Sequence, residues 1–208
     1  MITLSRTILS AFAASLAMVA VPATAEEMSD AATMKTVELG PKVGDAIPHN
    51  LDLPNTGGED ASFETLKGEN GMALFFVRSV SWCPYCKKQA VDVSERLAEF
   101  EAAGLSVVFV SYDSVDKQTE FATKNSFKPT LLSDEKIEAI NAFGIRNEKH
   151  EEGSRAYGIP HPVTFILDTD GIVKSKFYEE DFLSNEKSYR NRPAVDVILD
   201  GARSALSS

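Results

Sequence analysis

The apolar run Met72-Ala73-Leu74-Phe75-Phe76-Val77 leads into Trp82-Cys83-Pro84-Tyr85-Cys86, and this junction constrains the fold more than any other stretch of the chain. An uninterrupted apolar run of this length is a strand buried on both faces, as in a parallel sheet. Beyond the junction, Ala90, Val93, Leu97 and Phe100 recur at three and four, the period of a helix, and Gly104 stands where that helix should stop. Pro84 suits the first helical position, where its missing N–H leaves no bond unmade, so Cys83 is the expected cap. Both cysteines of the chain are thereby placed at the positive end of one helix.

A Cys-x-x-Cys pair in that position can close a small disulfide and reopen it. The unpaired amides of the first turn stabilise a thiolate on Cys83, and Lys87 and Lys88 add positive charge a turn further on. Cys83 is therefore expected to attack a substrate disulfide and Cys86 to resolve the mixed disulfide. A structural bridge is the bland alternative, but closing so short a loop stabilises little. Structural zinc wants four ligands and there is no second cysteine pair. No metal and no other cofactor is expected.

Residues 1–25 carry Arg6 and no acid, then the apolar stretch Ile8 to Val21, then Ala23-Thr24-Ala25 ahead of Glu26-Glu27. This is the pattern of a cleaved secretory signal, too short for a comfortable membrane span. A retained N-terminal anchor is the other reading. Residues 26–39 read as a flexible lead-in and 40–208 as one domain with its own core. The formal net charge is −10, and losing Arg6 with the signal would make it more negative, which disfavours nucleic acid as a partner. An exported, periplasm-like compartment is oxidising, so the pair would need a redox partner to reset it.

Within the domain, Val43-Gly44-Asp45-Ala46-Ile47-Pro48 and Leu51-Asp52-Leu53-Pro54 read as edge strands or extended arms broken by proline, and Phe63, Leu66 and Gly68 as a brief helical turn. Leu105 to Tyr112 is a second buried-type strand, Val115 to Asn125 a helix, and Thr130-Leu131-Leu132 a short strand. Ser133 or Asp134 can cap a helix running through Ile137, Ile140 and Phe143 to Gly144. The charged stretch Arg146 to Ala156 reads as an exposed loop. Pro162 to Asp168 and Ile172 to Tyr178 form a hairpin around Thr169-Asp170-Gly171, and Pro193 opens a last amphipathic helix through Val195, Ile198, Leu199 and Ala202. Alternating strands and helices imply an α/β fold, a central mixed sheet with helices on both faces.

The strand ending in Trp-Cys-x-x-Cys, the α/β middle and the Pro162-Val163-Thr164-Phe165-Ile166-Leu167-Asp168 strand with its Asp-Gly hairpin together resemble the thioredoxin fold. More narrowly, Val43 to Tyr178 is similar to the redoxin branch, the alkyl hydroperoxide reductase C and thiol-specific antioxidant (AhpC/TSA) family, whose N-terminal extension matches Val43 to Pro48. The resemblance implies a cis-proline facing the cysteines, for which Pro162 is the candidate. It also puts His161 near the sulfurs, able to tune the thiolate or shuttle a proton, with Trp82, Pro84 and Tyr85 as active-site support. Peroxidases of this branch carry Pro-x-x-x-Thr-x-x-Cys and a thiolate-clamping arginine. Here Phe76 and Val80 stand in the Pro and Thr places ahead of Cys83, and Pro162 stands where the arginine belongs.

These departures favour an exported, monomeric thiol-disulfide oxidoreductase exchanging with protein or small-molecule disulfides, in a direction left open. The alternative enzyme is a thiol peroxidase with Cys83 peroxidatic and Cys86 resolving. A non-enzymatic alternative is a copper(I) carrier holding the ion on both thiolates with a histidine such as His161.

Overall fold

The computed structural model describes residues 38–207, so the expected signal segment and most of the lead-in lie outside the described residues. Leu39, assigned to the lead-in, is buried in the core, and its carbonyl accepts from Lys176 Nζ.

A small antiparallel pair, β1 (Leu53–Pro54) and β2 (Asp60–Ala61), precedes a one-turn helix α1 (Phe63–Leu66), whose cap is reciprocal between Ser62 and Thr65. The central strand β3 (Gly71–Phe76) follows. Then come α2 (Pro84–Glu95), α3 (Leu97–Ala102), β4 (Leu105–Ser111), α4 (Val115–Asn125), β5 (Thr130–Ser133) and α5 (Glu138–Ala142). The chain closes with the hairpin β6 (Val163–Leu167) and β7 (Val173–Phe177) and the helix α6 (Val195–Leu206).

The main sheet has the order β5-β4-β3-β6-β7, with β3, β4 and β5 parallel and β6 and β7 antiparallel to their neighbours. The central strands β3 and β6 are buried along their length and largely apolar because both faces are covered, whereas the edge strand β7, Val-Lys-Ser-Lys-Phe, is mostly half-buried. Met72, Leu74 and Phe76 of β3 point to one core with Phe63, Ile140 and Phe165; Ala73, Phe75 and Val77 point to the other with Ala90, Phe100, Phe121 and Ile198. Helices α1 and α5 thus lie on one face and α2, α3, α4 and α6 on the other. Cys83 and Cys86 belong to the second core.

Gly71 shows how closely β3 and β6 approach. Its φ is +127°, and a Cβ there would stand 1.9 Å from the Leu167 carbonyl oxygen, so only glycine fits.

Three differences from the sequence reading have identifiable causes. The expected helix from Pro84 to Gly104 breaks at Arg96, whose guanidinium is taken by Glu99 and by Asp196 of α6. The helix expected after Asp134 starts only at Glu138, because Ile137 adopts φ +54°; Asp134 still holds its start, accepting from the Glu138 and Ile140 N–H groups at 2.7 and 2.8 Å. The Pro162 peptide is not cis: the described residues contain no cis peptide bond. The backbone there is already committed, with His161 N–H donating to Ile145 O at 2.8 Å and Pro160 bridged to Arg146, so no free edge is turned toward a substrate strand.

Candidate active site

Cys83 caps α2 in an extended conformation and Pro84 occupies the first helical position, as the sequence predicts. The loop between β3 and α2 is held by a buried polar network. The Asp113 carboxylate, just beyond β4, accepts from Ser79 Oγ at 2.8 Å, the Val80 N–H at 2.7 Å and Ser111 Oγ at 2.9 Å. Ser79 Oγ in turn accepts from the Ser81 and Trp82 N–H groups, forming the turn that delivers Cys83. Gln118 of α4 ties Ser111 to the Leu132 carbonyl. Trp82 Nε1 donates to Tyr112 Oη at 2.9 Å, and its ring carries the guanidinium of Arg155 on one contact and of Arg78 on another.

Both sulfurs are sealed: Cys83 is 1% exposed and Cys86 0%. They are free thiols 2.6 Å apart, joined by a shared hydrogen bond. Two groups that close share their titration, so the first proton leaves easily and the second with difficulty. The surroundings decide which sulfur carries the charge. Burial pushes the Cys86 thiol up, but this is outweighed by the hydrogen bond with Cys83, the charge of Arg192 and the Ser79 backbone, which bring it down to about 6. Cys83 moves the other way, raised by its hydrogen bond with Cys86 and by burial. The pair thus shares one easily lost proton, and the Arg192 guanidinium approaches it on the Cys86 side. The helix end and the charge of Arg192 act on both sulfurs, and Arg192 Nη2 lies 3.5 Å from Cys86 Sγ.

Arg192 lies 106 residues from Cys86, at the end of a polar stretch from Glu179 that carries no redox signal in the sequence. The segment from a single 3-10 turn at Ser188–Arg190 up to α6 crosses the start of α2. The Tyr189 ring meets Tyr85 edge-on at 5.9 Å, the Arg78 guanidinium lies 3.8 Å from the Tyr189 ring centre, and Arg190 approaches both tyrosines. Lys87, expected to support the thiolate, instead donates to the Ser81 carbonyl, and Lys88 pairs with Asp92.

Pro162 does stand at the cysteine end of the sheet, immediately before β6 and one step beyond the Phe76–Val163 pair. With Gln89 and Arg192 it lines one shallow crevice. His161 does not join the sulfurs. It is buried edge-on against Phe182 at 4.8 Å, and burial together with Lys149, Arg78 and His150 lowers it to about 4. The imidazole is turned to Phe182, and neither sulfur is among its hydrogen-bond partners. The same placement removes the third ligand of the copper reading: among the described residues no three His, Cys, Asp or Glu side chains come together as a metal site.

Comparison with known proteins agrees with this architecture. The model of the AhpC/TSA family matches residues 43–176. Peroxiredoxin Bcp of Escherichia coli strain K12 is 32% identical over 159 residues, covering 76% of this chain and 94% of that protein. A putative peroxiredoxin of Mycobacterium tuberculosis is 34% identical over 67% of this chain and 85% of its own length. Among solved structures, peroxidoxin BcpB from Mycobacterium tuberculosis superposes with a TM-score of 0.63 at 27% identity, covering 80% of this chain and 96% of its own. Peroxiredoxin Q of Xanthomonas campestris gives 0.59 at 25% identity, covering 78% and 94%. A thioredoxin-like sheet, a thiolate-forming pair at the end of its central strand and this likeness to peroxiredoxins make the chain an oxidoreductase of the AhpC/TSA family.

Proposed function

We propose that the protein is a thiol peroxidase in which Cys86 attacks the peroxide and Cys83 resolves. The observation that carries this reading is the Arg192 guanidinium set against a sulfur that is fully buried. A peroxide is small enough to enter such a site, whereas a protein disulfide is not. The Cys86 thiolate attacks one peroxide oxygen, the O–O bond breaks, and the other oxygen leaves as water or an alcohol after taking a proton. Arg192 is placed to offset the negative charge developing there. Cys86 is left as a sulfenic acid. Cys83 displaces its hydroxyl as water, forming the disulfide, and an external dithiol returns the two electrons.

Counting from Cys86 rather than Cys83 also alters the family pattern. Ser79 and Cys83 then stand seven and three residues ahead, in the Pro and Thr places, and Cys83 supplies a hydrogen-bonding group where the family has a hydroxyl. The names of the similar peroxiredoxins support the peroxidase part of this reading. Dithiol–disulfide exchange is the second reading, favoured by the Cys-Pro-Tyr-Cys helix cap, which suits a reversible disulfide. Export is part of the proposal, supported by the pattern from Arg6 to Ala25; a mature protein beginning at Glu26 is the expected result of N-terminal sequencing.

Stopped-flow mixing of reduced protein with hydrogen peroxide, with dimedone trapping of sulfenic acid, tests the chemistry. Cys83→Ser should form one sulfenic acid and fail to turn over, while Cys86→Ser should react no faster than free cysteine. Sulfenic acid on Cys83 in the Cys86→Ser variant would return the attacking role to Cys83. Wild-type protein that reacts no faster than free cysteine yet reduces insulin would replace the peroxidase reading with exchange.

A further inference from the structure

Arg78 leaves the end of β3 and is nearly buried, at 9% exposure, in a chain whose net charge is −10. Acid is abundant, yet among the described residues no carboxylate lies within ion-pair distance of this guanidinium, and its Nε has no hydrogen-bond partner. An unpaired buried N–H on a cation is costly to maintain. The group borders a cavity of about 240 Å³, walled by Phe182 and Tyr189 and receiving Lys149, His150 and His161. Glu186 is the one acid on its rim, and it sits 3.8 Å from Lys149.

Two cations, Arg78 and Lys149, with one partly engaged acid are an arrangement for holding a negative charge. Their crowding is visible in the histidines. Burial and Arg78 lower His150, and burial with Lys149, Arg78 and His150 lowers His161. The cavity is smaller than the roughly 300 Å³ at which drug-sized pockets begin, so the ligand is small. The planar guanidinium favours two coplanar oxygens, and the Phe182 and Tyr189 walls favour an apolar body.

We propose that this cavity binds the carboxylate of a small organic acid, with Arg78 as its principal partner and Lys149 at its rim. Tyr189 is the shared wall: one side meets Arg78 and the other meets Tyr85, between the two cysteines. Resting on the peroxidase reading for its use, the site would hold the acid group of a carboxylate-bearing hydroperoxide, with Tyr189 between it and Tyr85 of the cysteine motif.

Benzoate, with its neutral isostere benzamide, tests binding without turnover. Titration of the reduced full chain, followed by the ring signals of His150 and His161, should show saturable binding of benzoate at least about tenfold tighter than benzamide, the loss expected for one charge-assisted contact. A bound anion offsets the positive charges of Arg78, Lys149 and His150, with Glu186 opposing, so the His161 midpoint should rise by about one unit or more. Arg78→Met should weaken benzoate at least about tenfold and the exposed Lys149→Met about threefold. Equal binding of benzoate and benzamide, or benzoate binding untouched by both substitutions, overturns the proposal. If Arg78→Met does not fold, Lys149→Met and the benzamide comparison decide. Saturating benzoate should also slow reduction of a carboxylated hydroperoxide while sparing hydrogen peroxide; absence of all peroxidase activity would defeat the enzymatic reading and leave the binding result standing.

Discussion

Arg192 stands against one of two chemically identical side chains. Cys83 and Cys86 share a hydrogen bond at 2.6 Å and both sit at the start of α2, so neither burial nor the helix end distinguishes them strongly. The Arg192 guanidinium touches Cys86 at 3.5 Å, while its charge reaches both. Replacing Arg192 by Met should raise the Cys86 midpoint from about 6 by about one unit, the effect of removing one nearby opposite charge. The pH dependence of thiolate absorbance at 240 nm measures it. Arg192→Lys should recover part of the shift, and an unchanged midpoint in both variants would mean that the arginine serves only packing.

Among the structural elements, the β3–α2 loop owes its shape to Asp113 rather than to its own residues. The carboxylate gathers Ser79, Val80 and Ser111, and Ser79 passes the constraint to Ser81 and Trp82. Asp113→Ala leaves an N–H and two hydroxyls without their buried acceptor, which should cost about 3 kcal/mol of stability in urea unfolding. Because the same bonds deliver Cys83 to its place, peroxide reactivity should fall with the pinned turn. Loss of stability at full reactivity would show that the cysteines are positioned by α2 alone. The break at Arg96 has the same character: a side chain recruited by Glu99 and Asp196 interrupts what the apolar period presents as one helix.

Over the whole molecule, the cysteines belong to the core that joins α2, α3, α4 and α6, so their ionisation is tied to global stability. Cys86 titrates near 6 when folded and near its ordinary 9.0 when unfolded. Between these values the unfolded chain holds the extra proton. Its contribution is thus fully present above pH 9, and is lost as pH falls through 6. Cys83, raised in the fold, acts oppositely and removes stability above its ordinary 9.0. Reduced protein should therefore gain stability from pH 6 towards pH 9 and lose it beyond, relative to the Cys83→Ser/Cys86→Ser variant, in urea titrations at each pH. A flat difference would show that neither thiol departs from its ordinary value in the fold.

Most of the architecture was legible in the residues because it depends on local pattern. The apolar run at Met72 to Val77, the Pro84 helix start, the helix over Val115 to Asn125 and the hairpin around Asp170-Gly171 all follow from period, capping and turn chemistry acting within a few residues. The redox pair was legible for the same reason, since three residues of spacing suffice to place two sulfurs together. The Arg192 contact on Cys86 was not, nor was the trans backbone at Pro162 or the packing of His161 on Phe182. Each depends on a distant partner: Arg192 from before α6, Ile145 across the loop, Phe182 beyond the hairpin. Local sequence specifies where a side chain sits along the chain, whereas its charge state depends on the field and desolvation of whatever folding brings against it, and only the packed molecule contains that information.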